Sequence, residues 1–386
     1  MKLLQVQVPD FRVLKDVDIK FDRRFVPNIF PLGSLNGGGK STLLQLVFVL
    51  LHCCTNPERH HYIENLLHGF TFNNDGSDRV LAIINIWDGE KEVEIKFLVC
   101  SESRFEDIVG SYHYEEDYKD GTMYPQNLRP KDIIHICSYL PGVDKGRNHL
   151  FYQIGDNSDM NEAGDWLDKI SNKIFLAAPI TQVFLFISPE SRYRLFAKNS
   201  DGDYDTDLKS SKSELPGFFT YDFAPVDLLI KAFTSARDED FRTAIETEGE
   251  YGKRYKELLA ELNLLLANKK VNISTDFSKI TFKLDTNDGN IELYPEDLSH
   301  GELKRLSIYL WLKYNKIEDA IVLMDEIEIG FHPDWQYRII PDLEQWSPSN
   351  QYILATHSYE LCQALTPAHV RELEPKLIKS DNNISL

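Results

Sequence analysis

The stretch Gly33-Ser34-Leu35-Asn36-Gly37-Gly38-Gly39-Lys40-Ser41-Thr42 decides how this chain is read. Its glycines let the backbone curl so that successive N–H groups face one point, and the following helix pattern, STLLQLVFVLLHCC, adds the positive end of a helix dipole. That is the chemistry of a loop cradling phosphate, with Lys40 reaching the β- and γ-phosphates and Ser41 available to Mg2+. An apolar segment at 28–32 precedes the loop, so the order is strand, Gly-rich loop, helix. Ser34 stands where the first glycine of G-x-x-x-x-G-K-[ST] is usual, Gly33 being one residue early. If that position is left-handed, the serine costs on the order of 1–2 kcal/mol.

Working outward, residues 1–32 alternate apolar and polar positions (LLQVQV, VLKDVDIKF), which predicts an opening β-meander with a turn at Pro9-Asp10. VLAIINIW and KEVEIKFLVC flank Asp88-Gly89-Glu90, a hairpin signal. The acidic, Tyr-rich stretch 101–130 and the tract NSDGDYDTD at 199–207 read as solvated loops, and TQVFLFISPESRYR as a buried strand ending at Pro189. Residues 222–269 are helical in pattern, with apolar positions at three- and four-residue spacing in KRYKELLAELNLLLANKK. This is a short lobe and not a long coiled coil. Strands resume at VNIST, KITFKL and NIELY, and the last ninety or so residues alternate helix, strand, helix, strand, helix. The implied fold class is α/β, with a first part at 1–185, an inserted helical lobe at 186–285 and a last part at 286–386.

Two later strands end in chemistry. AIVLMDEIE closes on Asp325 and Glu326; because strand side chains alternate, Asp325 can face a Mg2+ shell while Glu326 addresses the water attacking the γ-phosphate. QYILATHS closes on Thr356-His357-Ser358, where His357 can bond the γ-phosphate, although a lone histidine is more often structural. Leu298-Ser299-His300-Gly301-Glu302 opens a helix, Ser299 as N-cap and Glu302 three residues on, a capping box that accounts for the helix start without any function.

Taken together, the P-loop, LSHGE, Asp-Glu and Thr-His motifs occur in the order and spacing of an ABC-type ATPase, whose signature is LSGGQ-like. The P-loop and LSHGE lie about 260 residues apart, unlike transporter subunits. The opening, with Phe11-Arg12, and Glu-Ile-Gly-Phe-His-Pro at 328–333 resemble the SMC, RecF and OLD-like branch, including ATPases of prokaryotic anti-phage defence. The likeness is specific over roughly 1–55 and 290–360. It implies an ABC-ATPase head binding ATP and Mg2+: Asn36, Gly37, Gly38, Gly39, Lys40, Ser41 and Thr42 on the nucleotide, Arg12 approaching it, Ser41 and Asp325 on the metal, Glu326 and His357 catalytic. It further implies a head-to-tail homodimer in which Ser299 and Gly301 of one copy complete the other's site. Gln153 and Gln182 are both candidates for the Q-loop glutamine.

Charge and composition narrow the partners. With 42 Lys plus Arg against 61 Asp plus Glu, the net charge is −19, which disfavours broad nucleic-acid or anionic-membrane binding. Local basic groups are Lys304, Arg305 and Lys313, and Lys253, Arg254, Lys256, Lys269 and Lys270, all more typical of solvated helix faces. Five cysteines without a C-x-x-C pair fit reduced, buried thiols. No stretch has membrane-span length or the form of a signal peptide, so a cytoplasmic location is expected. Only 29 residues follow His357, too few for a Toprim nuclease, so the expected effector is a separate nuclease or toxin. The competing readings are a RecF-like DNA-repair clamp and a nucleotide-dependent scaffold that does not hydrolyse.

Overall fold

The computed structural model describes residues 1–34, 37–70, 79–110, 133–141, 146–155, 160–195, 204–221, 225–266, 268–286 and 289–373. Its contacts divide the chain into two compact units: Met1–Phe219 with Asp319–Ile327 and Ser349–Leu386, and Thr220–Glu318 with Glu328–Pro348. These boundaries do not coincide with the three stretches expected from the sequence. Residues 319–348 are shared between both units.

The first unit opens with β1 (Lys2–Phe11), β2 (Leu14–Lys20), β3 (Ile29–Gly33), α1 (Lys40–Cys53) and α2 (His60–Leu67). The predicted meander is present, but β1 runs through Pro9-Asp10, and the turn falls at Arg12-Val13 with Phe11 paired to Leu14. Alternating burial along β1 continues to Phe11, which is fully buried, so the core claims two more residues than turn chemistry alone suggested. Next come β4 (Arg79–Trp87), β5 (Glu92–Ser101), α3 (Glu102–Gly110), β6 (Ile133–Tyr139) and β7 (Asn148–Ile154). The β4–β5 hairpin is as expected, its turn closed by the Asp88 side chain, which accepts from the N–H groups of Glu90 and Lys91 at 2.8 Å. These strands form an antiparallel sheet in the order β2-β1-β4-β5-β7-β6.

Continuing, α4 (Met160–Ser171), β8 (Ile174–Ala178), α5 (Pro189–Leu195), α6 (Tyr204–Glu214) and β9 (Phe218–Thr220) complete the run to residue 220. Three sequence expectations are corrected here. The segment 180–195 is no strand: two single-turn helices and α5 replace it, and the buried strand is the preceding IFLAA. The stretch beginning at 101 opens with helix α3, and the acidic tract ends inside α6. Helix α3 starts at Glu102 and α6 carries Asp205 in its first turn, and acids stabilise a helix N-terminus, a signal outweighed in the sequence by high polarity. Residues 111–130 and 199–203 lie outside the described residues.

The second unit carries α7 (Val226–Glu246) and α8 (Arg254–Leu265), confirming the helical pair, then the meander β10 (Lys269–Ile273), β11 (Ile280–Thr286) and β12 (Gly289–Leu293), and α9 (His300–Tyr314). The chain re-enters the first unit for β13 (Ile321–Asp325), returns for α10 (Pro333–Trp346), and closes in the first unit with β14 (Gln351–Ala355), α11 (Tyr359–Gln363) and β15 (Arg371–Glu372). The second large sheet of the first unit runs β15-β3-β14-β13-β8-β9, with β15, β3, β14, β13 and β8 mutually parallel. Strands buried on both faces read as continuous apolar runs, and β13 and β14 are buried at every residue. Helix α1 is buried almost all round, as its apolar sequence predicts.

No described helix is long and apolar enough to cross a membrane. None of the five cysteines is in a disulfide; four are buried and Cys362 is half-buried. Burial raises the Cys54 thiol to about 12, consistent with an inert core thiol.

Candidate nucleotide-binding site

Strands β3, β14 and β13 are parallel neighbours, so their C-terminal ends open on one edge of the sheet, where ligands of open α/β sheets gather. The loop after β3 needs left-handed backbone at Gly37 (φ 78°) and Gly39 (φ 86°), which glycine alone adopts without strain. Gly39 is the N-cap of α1, whose first turn has no side-chain cap and no acidic residue, leaving its N–H groups for a ligand. A Cβ at Gly39 would also lie 2.6 Å from Leu14 Cδ2 and 2.9 Å from Val13 Cγ2, so the tip of the β1–β2 hairpin roofs the loop.

Lys40 is buried, and its Nζ donates to Ser34 Oγ at 2.8 Å and Ser34 O at 3.3 Å. Ser34 has no positive φ, so the strain anticipated for a non-glycine residue does not arise. Its hydroxyl gives Lys40 an acceptor that glycine lacks. Ser41 Oγ donates to Asp325 Oδ1 at 3.1 Å, joining residues 284 apart, with Asp325 only 1% exposed. A hydroxyl and a carboxylate converging there form a hard-oxygen donor pair of the kind that suits Mg2+, which keeps waters and phosphate oxygens as its other ligands. Among the described residues there is no cluster of three or more His, Cys, Asp or Glu fit for a metal, so a cation here would rely on those other ligands.

Glu326 follows with φ 48°, its N–H donating to Ala355 O at 2.9 Å. Strand β13 ends at Asp325, so the direction of Glu326 is set by this left-handed turn and not by the strand alternation on which the sequence reading relied. Past β14, Thr356 is buried, its N–H bonded to Leu32 O and its Oγ1 accepting from Ser358 N at 2.9 Å, while His357 between them is exposed. Thus Lys40, Ser41, Asp325, Glu326 and His357 share one edge of one unit. Thr42 is half-buried and Gly38 buried in the same turn, and Asn36 lies outside the described residues.

Arg12 sits at the hairpin tip with φ 52°. Its guanidinium donates to Leu66 O at 2.8 Å and His68 O at 3.0 Å, satisfying the C-terminal carbonyls of α2, and burial holds its pKa below the usual arginine range. Gln182 follows β8 and its carbonyl accepts from Gln45 of α1 at 2.6 Å, whereas Gln153 is paired within the antiparallel sheet opposite Lys96 and Ile133.

Ser299 and Gly301 belong to the second unit. Ser299 caps α9 reciprocally, its Oγ accepting from Glu302 N at 3.3 Å and its N–H donating to Glu302 Oε2 at 2.9 Å. Burial pushes the Glu302 carboxyl up, but hydrogen bonds from Lys269 and Ser299 outweigh it and hold the group below the usual range. Sequence reasoning misplaced two neighbours. Lys304 and Arg305 are 3% and 7% exposed and no solvated face: Arg305 Nε and Nη2 bond Asp342 at 2.6 and 2.8 Å, and its Nη1 bonds Leu265 O at 2.9 Å. Adjacent basic residues beside Leu303 and Leu306 were the available signal, since a helix buried this fully leaves no solvent side.

Residues 229–363 match the family described as "AAA domain, putative AbiEii toxin, Type IV TA system". The chain is 33% identical over 92 residues to the Retron Ec83 probable ATPase of Escherichia coli, covering 21% of this chain and 17% of that protein. It is 41% identical over 52 residues to the Retron Vc95 probable ATPase of Vibrio cholerae serotype O1 biovar El Tor, covering 14% and 10%. The matches therefore span a small part of those relatives' lengths. Among solved structures, the SMC head domain from Thermotoga maritima overlaps 96% of this chain and 94% of its own at 11% identity and a TM-score of 0.44. The SmcHead bound to the C-winged helix domain of ScpA overlaps 94% and 92% at 13% identity and 0.46. At these values the structural likeness is loose.

Proposed function

We propose that this chain, an AAA ATPase of the SMC/RecF/OLD-like kind found in defence systems, binds and hydrolyses ATP as a homodimeric switch acting on a separate effector such as a nuclease or toxin. The observation that carries the ATPase reading is the Ser41–Asp325 hydrogen bond, which brings the phosphate-type loop and the acidic strand end together at the mouth of a parallel sheet. In this reading the N–H groups at the start of α1 and the Lys40 ammonium hold the β- and γ-phosphates. Mg2+, when bound at Ser41 and Asp325, neutralises charge on those phosphates. Glu326 orients the attacking water and takes its proton, and His357 donates a hydrogen bond to the γ-phosphate. Ser299 and Gly301 of the partner copy close the site from the other side, so that nucleotide state sets the dimer equilibrium.

The effector and the defence role rest on the motif resemblance to ATPases of prokaryotic anti-phage defence, while the retron relatives support the ATPase reading. A clamp on DNA ends is less supported, because Lys304 and Arg305 are buried and Lys269 is paired with Glu302. The test is ATP turnover by the purified chain, by Lys40→Ala and by Glu326→Gln, with mass measured in solution with and without ATP. Turnover abolished in both variants, with Glu326→Gln trapped as an ATP-dependent dimer, supports the proposal. Turnover unaffected by Lys40→Ala, or a Glu326→Gln variant that stays monomeric with ATP, refutes it.

A further inference from the structure

We infer that Lys304 is a positioning residue for the signature turn: it ties the loop 328–332 to the start of α9, so that loop and turn are presented to a second copy of the chain as one rigid face. The inference rests on the ATP-sandwich reading above. Lys304 lies one turn beyond Gly301. Its Nζ donates to Ile329 O at 2.9 Å and sits 4.1 Å from the ring centroid of Tyr221 and 5.5 Å from that of Phe331. An ammonium only 3% exposed is costly to bury unless a carbonyl and aromatic faces replace water. A methionine would fill the same space without that cost, so what the lysine adds is a fixed backbone carbonyl in the loop.

The loop and the turn also meet backbone to backbone. A Cβ at Gly301 would lie 2.9 Å from Gly330 O and 3.2 Å from the Trp335 ring, and a Cβ at Gly330 (φ +83°) would lie 2.5 Å from His300 Cδ2. Two glycines and a hydrogen-bonded lysine therefore hold one surface, on which Ser299, His300 and Ile329 are exposed. All of these residues belong to the second unit. The surface owes its shape to Lys304, which itself touches no nucleotide in this arrangement.

The experiment places Lys304→Met and, separately, Gly330→Ala in the Glu326→Gln background. It measures the ATP-dependent dimer constant by analytical ultracentrifugation, the protomer's affinity for a fluorescent ATP analogue at dilutions below dimerisation, and amide exchange at 329–331 in the monomer. The expected result is a dimer weakened by about tenfold or more, nucleotide affinity within about twofold of the parent, and faster exchange at 329–331. A dimer as tight as the parent's, or nucleotide affinity falling in step with dimerisation, overturns the inference. If the parent does not dimerise with ATP, the sandwich reading is what fails, and amide exchange decides for Lys304: faster exchange upholds its role and unchanged exchange ends it. Gly330→Ala perturbs the same contact from the loop side and is read in the same way should Lys304→Met not fold.

Discussion

Arg305 anchors the helix that begins with the signature turn, and replacing it tests the energetics of the second unit. The side chains of Arg305 and Asp342 are 9% and 8% exposed and meet through two hydrogen bonds, and a third runs from Arg305 to Leu265 O. Arg305→Met keeps the aliphatic stem but strands a buried carboxylate and a helix-end carbonyl. Removing one partner of a buried pair costs about 3–5 kcal/mol. Asp342 retains Arg338 at 3.8 Å, but that side chain is 62% exposed and offers only a screened contact, so about 3 kcal/mol is the expected loss. Arg305→Met/Asp342→Leu removes the stranded charge along with its partner and should recover at least about half of that loss. Urea unfolding followed by tryptophan fluorescence is a suitable assay, since Trp335 and Trp346 lie 5.8 and 5.9 Å from the guanidinium. A single variant that loses under about 1 kcal/mol, or a double variant no more stable than the single, would refute the reasoning.

Three further outcomes are expected. Gly39→Ala combines a left-handed φ with a clash against Leu14 and Val13, so it should lower stability by about 2–4 kcal/mol and weaken nucleotide binding, read by thermal melting and by titration of a fluorescent nucleotide. Asp325→Asn keeps the volume but removes the charge beside Ser41, and turnover at limiting Mg2+ should fall much further than at saturating Mg2+; an equal loss at both concentrations would count against a metal-facing carboxylate. His52 is buried against Ser171 O and held near pKa 4, chiefly by desolvation. Because the unfolded chain takes up this proton at about 6.5 and the folded one only near 4, stability is undiminished above pH 6.5 and falls as pH drops through that window, by up to about 3 kcal/mol. Replacing His52 with Phe should flatten the stability profile between those values in urea titrations.

Much of the site was legible because each part is local in sequence. The Gly-rich loop, the capping box at Ser299 and Glu302, and two apolar strands ending in Asp325-Glu326 and Thr356-His357 announce themselves within ten residues each. What could not be read was set by distant partners. The turn at Arg12-Val13 follows from burial of Phe11 in the core, not from the Pro9-Asp10 pair that resembles a turn. Segment 180–195 is apolar enough for a strand, yet part of it is tied to Gln45 of α1 and folds as helical turns. Lys304 and Arg305 read as solvated because their acceptors, Ile329 O and Asp342, lie 25 and 37 residues away.

The parallel sheet has a temporal consequence. Strand β3 is flanked by β14 and β15, so both its neighbours come from residues 351–372. At ribosomal rates of about 5–20 residues per second, roughly 15–60 seconds separate synthesis of the phosphate-type loop from that of the strand that seats it. The antiparallel sheet is complete in sequence by Ile154 and can form well before then. A nascent or C-terminally truncated chain would thus carry an apolar, edge-exposed β3 beside a finished sheet, so aggregation of such fragments should start from 29–33 rather than from the helical pair.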